Sequence, residues 1–467
     1  MFLEKLSSFL VPMCFVLALS HTGLTQDFEY ELDDVISEDY TDWNTTIREI
    51  ITLFPGYNCS DDPKWPYGEE QIFTCDILPP SSKVPDSVHR LRPGDINVIG
   101  AIGDSLSAAS GGGACSMPQM LYQYRGKVFS HGGDETYATV PTLANILRKY
   151  NPGLKGFGKD TGGWMTENAA MNLAVPGAVA LDIPLQAERL VEKMQNDVTI
   201  DYEKDWKLIT IFIGGNDLCA VCRNKTKYSP EAYIDNIRTT IQTLHEKMPR
   251  TLVNVVGILD LREINKLQGA PCRAAHLLFC DCVANYTDEV LKTEWEPILI
   301  QYQDMLEEMV MSGVFDDRDD FTVVHQPFFH ETKIPTVLGV ADRSYMAPDC
   351  FHFSAKGHAE TGNALWNNMV QPVGSKERAW TPNGPLTCPT QESPYLYTNT
   401  NSRQNPSTKL PMTSKVVMTT SKVVMTTVKP SPTDDGDADG GVANLGPCHF
   451  TAALFVSLSA ILTYLQV

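Results

Sequence analysis

The sequence is short of positive charge: 37 Lys and Arg stand against 57 Asp and Glu, a net charge of −20 over 467 residues. Nothing in that balance would neutralise a phosphate backbone, which excludes nucleic acid as the partner. Comfortable membrane spans are also lacking. The run Phe9–Leu19 is too short for a spanning helix, and Phe450–Val467 is of marginal length with no Lys or Arg after it. Metal motifs are missing too. Cys219-x-x-Cys222 and Cys280-x-Cys282 have no partner pair at zinc-finger spacing, and no convincing calcium loop is present. No metal and no cofactor are expected.

What the two ends do carry points to the secretory pathway. Lys5 precedes the first apolar run and the small residues of Ser20–Thr25 follow it, the layout of a signal peptide over residues 1–25. Small residues at Asp439–Gly441 and a polar spacer lead into the terminal run, so 441–467 reads as a C-terminal anchor signal or a transmembrane tail. The first reading is a glycosylphosphatidylinositol anchor with Asp439 or Asn444 as attachment residue; the second is a single transmembrane segment. Either holds the protein at the extracellular face of the plasma membrane. Removing both signals takes Cys14 and Cys448 and leaves an even number of cysteines, suited to disulfides whose pairing stays open. Asn44, Asn58, Asn224 and Asn285 begin Asn-x-Ser/Thr acceptors and are expected glycosylation sites.

Residues 26–90 read as an N-terminal extension with one helix near Trp43–Leu53, tied down by Cys59 and Cys75. From 91 to 372 apolar runs alternate with helical patterns. The runs Ile96–Ile102, Leu208–Ile213, Leu252–Ile258 and Phe321–Val324 are continuous, as in strands covered on both faces. In Pro230–Met248 the residues Ile234, Ile237, Ile241, Leu244 and Met248 recur at three and four, with Ser229 as N-cap and Pro230 in the first turn. Leu185–Met194 and Asp288–Met311 also read as helices. The alternation implies an α/β fold, a parallel sheet with helices on both faces and a ligand site at the carboxyl ends of its strands. Beyond 372, Pro, Ser, Thr and Asn dominate, and Thr413–Thr419 is nearly repeated in Thr420–Thr426. Residues 373–440 are read as an extended, O-glycosylated stalk.

Four short stretches invite chemistry. The first strand ends in Gly103-Asp104-Ser105, which bares a serine hydroxyl at a strand-to-helix turn. A serine nucleophile needs a base, an orienting acid and an oxyanion hole. Asp349 and His352 lie three residues apart before the helical segment Ala355–Met369 and can face the same side of a turn. Asn216, after Gly214-Gly215, offers an amide donor; Gly177, in Val175-Pro176-Gly177, offers an unobstructed N–H. Each stretch taken alone is also an ordinary turn. His325 and His330 follow a strand and stay candidates by position. Asp104 and Asp217 read as structural supports, and His358 as a second histidine the chemistry does not need.

Together and in this order, the stretches resemble the GDSL (SGNH) hydrolase family over roughly residues 90–372. "VHRLRPGDINVIGAIGDSLSA", "NILRKYNPGLKGF", "NLAVPGA", "FIGGNDLC" and "CFHFSAKGH" look like its membrane-associated phospholipase B branch. With one Gly-Asp-Ser, the chain looks like a single catalytic unit. The resemblance implies a three-layer αβα fold with a mostly parallel sheet. It implies Ser105 as nucleophile, His352 as base, Asp349 as its orienting acid, and Ser105, Gly177 and Asn216 as the oxyanion hole. It implies hydrolysis of acyl esters in glycerophospholipids and lysophospholipids, with retinyl and other lipid esters as further substrates. Two other readings stand beside it: an esterase for non-phospholipid acyl esters, and a non-enzymatic surface protein on a hydrolase scaffold.

Overall fold

Four parallel strands in the order of the chain form the centre of the protein. The computed structural model describes residues 70–403. Strand β1 (Ile96–Gly103) is followed by the short helix α1 (Ser105–Ala108), α2 (Leu143–Tyr150) and α3 (Ile183–Asn196). Then come β2 (Trp206–Phe212), α4 (Gly215–Ala220), α5 (Pro230–Lys247), β3 (Thr251–Val256), α6 (Ala270–Phe279), α7 (Glu296–Met311) and β4 (Phe321–Gln326). A hairpin, β5 (Thr336–Val337) with β6 (Val340–Ala341), precedes α8 (Ala355–Met369) and α9 (Asn399–Arg403). The four expected strands and the helices at 183–196, 230–247 and 355–369 all lie within a few residues of their sequence positions. The helix expected over Asp288–Met311 is interrupted by a π-helical turn at Leu291–Trp295.

Right-handed crossovers between neighbours in chain order put α3, α5 and α7 on one face. Accordingly α3 packs on β1 and α5, α5 on α7, and α7 on β4. Helices α2 and α8 pack on each other, and α8 on β4. Ile209 and Phe212 of β2 are an odd number of residues apart and point to opposite faces. Ile209 meets Leu190 and Met194 of α3 over Gly100. Phe212 meets Phe129, which stacks on His358 of α8. Three layers result, with a doubly covered sheet whose strands are buried almost throughout.

The packed unit is wider than 91–372. Residues 373–403 were expected to belong to a stalk, yet they are built into the fold. Cys388 is disulfide-bonded to Cys75, the Leu396 N–H donates to Leu91 O at 2.8 Å, and Trp380 packs against Phe329 and Phe353. Isolated long-range contacts, not a periodic apolar face, hold this polar segment. The described part of the N-terminal extension packs as well, Leu78 and Val88 being buried. The signal peptide, the helix near Trp43–Leu53, Asn44, Asn58, the stalk beyond 403 and the C-terminal anchor segment lie outside the described residues. Among the described residues no helix is long and apolar enough to cross a membrane.

Candidate active site

Strand β1 ends at a place where only glycine fits. Gly103 has φ +151°, and a Cβ there would lie 2.2 Å from the carbonyl oxygen of Phe212 on β2. Gln186 of α3 holds the turn: the Gly103 N–H donates to its Oε1 at 2.8 Å, and its Nε2 donates to Gly103 O at 2.9 Å. Asp104 caps the short helix that follows, its Oδ1 accepting from the Leu106 N–H at 2.9 Å. Ser105 is thereby fixed just past the carboxyl end of β1, nearly buried.

Asp349 and His352 occupy the turn before α8, whose N-cap is Ser354. The Asp349 carboxylate accepts the backbone N–H groups of Phe351 and His352 at 3.0 Å each and the His352 Nδ1–H at 2.6 Å. That bond sets the tautomer, so Nε2 is free to accept the Ser105 hydroxyl, with Oγ 2.8 Å away. Burial pushes the Asp349 carboxyl up, but His352 and the two N–H donors outweigh it and hold the group below its ordinary value. The turn is tied to α6 twice, by the Cys272–Cys350 disulfide and by His276 Nε2 donating to Cys350 O at 2.9 Å. The rings of Phe279 and Phe351 stand edge-on to His352.

The third and fourth stretches meet beside the serine. The Val175 N–H donates to Gly103 O at 3.1 Å, which lays the Gly177 loop along β1. Asn216 Nδ2 donates to Ala178 O at 2.8 Å, leaving its other N–H for a ligand. Gly177 has φ +83° and no atom near a would-be Cβ. Among the described residues the N–H groups of Ser105 and Gly177 have no acceptor. Both oxygens of Asp217 accept the Ala180 N–H, at 3.0 and 3.2 Å. Burial pushes Asp104 up to about 6 and Asp217 up to about 7, with Asp104 adding to the rise of Asp217. Neither makes a bond to the Ser105 hydroxyl, and both support the turns that present the donors.

One support had no signal in the sequence. Arg125 is fully buried and donates to Gly162 O at 3.0 Å, Ala174 O at 2.8 Å and Asn172 Oδ1 at 3.0 Å, besides Gln123. Burial lowers its guanidinium to about 9. Asn172 passes the hold on, its Nδ2 donating to Ser107 O at 2.7 Å. A buried cation satisfied by carbonyls thus locks the loop before Gly177 to the helix after Ser105. Asn172 opens the Asn-Leu-Ala-Val-Pro-Gly stretch, but no spacing pointed to Arg125 or Gln186.

Ser105 and Asn216 face a cleft whose walls include Leu106, Leu261, Ile264, Phe329, Phe353 and Trp380. Asp260 and Glu263 also line it, with Lys333 Nζ lying 3.1 and 3.4 Å from their carboxylates. The other candidates lie apart from this relay. His325 and His330 face each other beside Gly257, with Arg378 on His330; burial drives His325 far down and His330 to about 3. His358 is buried against Phe129 and Phe353 and lowered to about 3. The cysteines at 219, 222, 280 and 282 form the disulfides Cys219–Cys280 and Cys222–Cys282. The cluster of Cys222, Cys282 and Asp281 therefore offers no thiolates to a metal. Asn224 and Asn285 are exposed.

The family model of the GDSL-like lipase/acylhydrolases matches residues 99–365. The chain belongs to this family. Among its GDSL relatives, human "Phospholipase B1, membrane-associated" is 46% identical over 349 residues, covering 72% of this chain and 24% of that protein. The mouse protein of the same name is 46% identical over 347 residues, covering 72% of this chain and 23% of its own length. The chain spans about a quarter of the length of these relatives. A GDSL-like lipase structure from Parabacteroides merdae aligns at 17% identity and TM-score 0.32, covering 61% of this chain and 96% of that one.

Proposed function

We infer that this chain is a serine ester hydrolase that releases fatty acids from glycerophospholipids and lysophospholipids. The observation that carries the reading is the relay Asp349–His352–Ser105, with bonds of 2.6 and 2.8 Å, opening into an apolar cleft. The names of the GDSL relatives support the substrate class.

Ser105 Oγ attacks the ester carbonyl carbon while His352 Nε2 takes its proton. Asp349 keeps the Nδ1–H in place and stabilises the imidazolium. The carbonyl oxygen becomes an oxyanion held by the N–H groups of Ser105 and Gly177 and the Asn216 amide; losing one such donor costs about 10²–10³ in turnover. Collapse expels the alcohol, which leaves with the proton from His352. Water, deprotonated by the same imidazole, then attacks the acyl-enzyme and frees the fatty acid. The apolar cleft accepts the acyl chain.

Secretion and attachment through 441–467 belong to the same proposal, since a tether raises the enzyme's concentration at its lipid substrate. Phosphatidylinositol-specific phospholipase C is expected to release the protein from cells; retention with the tail intact by mass spectrometry supports the transmembrane reading instead. The activity is tested by product analysis on phosphatidylcholine, lysophosphatidylcholine and a short-chain aryl ester, with Ser105→Ala as control. Fatty acid from both phospholipids, lost in the variant, is the expected result. Turnover of the aryl ester alone moves the function to a general esterase, and no turnover by folded protein supports a non-enzymatic role.

A further inference from the structure

The hairpin β5–β6 breaks two rules at its tip. Its central residues Leu338 and Gly339 both have positive φ, +53° and +82°, where Asn-Gly is the usual pair. A leucine there is strained, and this one is completely exposed. Val337 and Val340, its neighbours across the hairpin, are 60% and 68% exposed. From Ile334 to Ala341 no residue carries a charge.

The root of the hairpin, by contrast, is pinned. Lys333 bridges Asp260 and Glu263, the Ile334 N–H donates to Glu263 Oε2 at 3.1 Å, and Asp342 lies 3.5 Å from Lys356. Ile334 itself lines the catalytic cleft. A second apolar projection adjoins the same cleft. Helix α6 ends in Leu277, Leu278 and Phe279; Leu278 is 56% exposed, and Phe279 packs on Phe351, a cleft residue, and on His352.

We propose that the hairpin tip Val337–Val340 and the end of α6 insert together into the acyl layer of a phospholipid surface, so that an ester passes from the lipid into the cleft without crossing water. Continuity identifies the occupant. The uncharged chain leads from Leu338 back to Ile334, a cleft residue, and from Leu278 to Phe279, which packs on Phe351 of the same cleft. Arg343, exposed just beyond the hairpin, suits the phosphate level above an inserted apolar tip. The proposal rests on the lipid-ester reading for its choice of surface.

The test uses the full chain with Ser105→Ala, so that lipid is not consumed, on phosphatidylcholine vesicles with brominated acyl chains. A tryptophan introduced by Leu338→Trp is expected to be quenched. One introduced by Val198→Trp, in the segment leading into the amino end of β2, is not. Equal quenching at the two positions, or none at 338, overturns the proposal. In the active chain, Leu338→Asn with Leu278→Asn is expected to lower vesicle hydrolysis tenfold or more while soluble aryl ester turnover and Tm hold, since Asn suits the positive φ. Unchanged vesicle hydrolysis overturns it. Quenching needs no turnover, so a wild-type chain that fails to hydrolyse phospholipid contradicts the substrate reading and leaves the insertion result to stand or fall by itself.

Discussion

The side-chain amide of Gln186 grips both backbone groups of Gly103 from 83 residues away, accepting its N–H at 2.8 Å and donating to its carbonyl at 2.9 Å. Both groups are buried; Gln186→Leu leaves the N–H without a partner, while the carbonyl keeps the Val175 N–H. A loss of about 1–3 kcal/mol in stability is expected. Because Gly103 precedes the nucleophile by two residues, kcat is expected to fall with KM nearly unchanged. Thermal unfolding and steady-state kinetics measure the two effects; a variant with wild-type kcat contradicts the positioning role.

Arg125→Lys keeps the charge and loses the fork. Lysine offers three donors from one atom and cannot reach Gly162, Ala174, Asn172 and Gln123 together. The carbonyls of the loop before Gly177 then lack partners. A stability loss of about 2–3 kcal/mol is expected, with kcat reduced as the oxyanion donors loosen. Hydrogen exchange at residues 172–178 reports the loosening directly.

Cys350 lies between Asp349 and His352 and is bonded to Cys272. Replacing both cysteines by alanine frees the acid turn from α6. Tm is expected to fall, since disulfides closing loops of this size contribute about 2–4 kcal/mol. Turnover is expected to fall by about tenfold or more, because Asp349 and His352 lose their fixed orientation. Full activity in the double variant contradicts this account of the turn.

Asp217 supplies a pH prediction. Burial raises its carboxyl to about 7 in the folded protein, against about 3.9 unfolded. The folded state therefore holds the proton more tightly. The stability this group contributes is fully present below about pH 4 and is lost as pH rises towards 7. Asp217→Asn removes the titration while its amide oxygen can still accept the Ala180 N–H. The variant is expected to melt a few °C higher than wild type at pH 8 and to lose that advantage at pH 4. Parallel melting curves across this range contradict the assignment.

The strands were legible because a doubly covered sheet demands unbroken apolar runs, and Ile96–Ile102 and Leu208–Ile213 have no other explanation as simple. Ser105 and His352 stood out only because four short turns, each ordinary alone, occur together in an order that resembles one family. Arg125, Gln186 and the Cys272–Cys350 bond act across long sequence separations, and no periodicity or spacing encodes such contacts. Residues 373–403 misled for a related reason. Their composition is that of a linker, while Trp380, Cys388 and Leu396 each find a distant partner that composition does not report. The π-helical turn at Leu291–Trp295 is likewise invisible in the apolar pattern of its helix.

The central claim is that Ser105 is a nucleophile activated by His352. A fluorophosphonate probe, which reacts with activated serines, followed by peptide mapping, tests it most directly. One label is expected, on Ser105, absent in Ser105→Ala and strongly reduced in His352→Ala. Labelling that persists at another serine, or a folded wild-type chain that takes no label, contradicts the account.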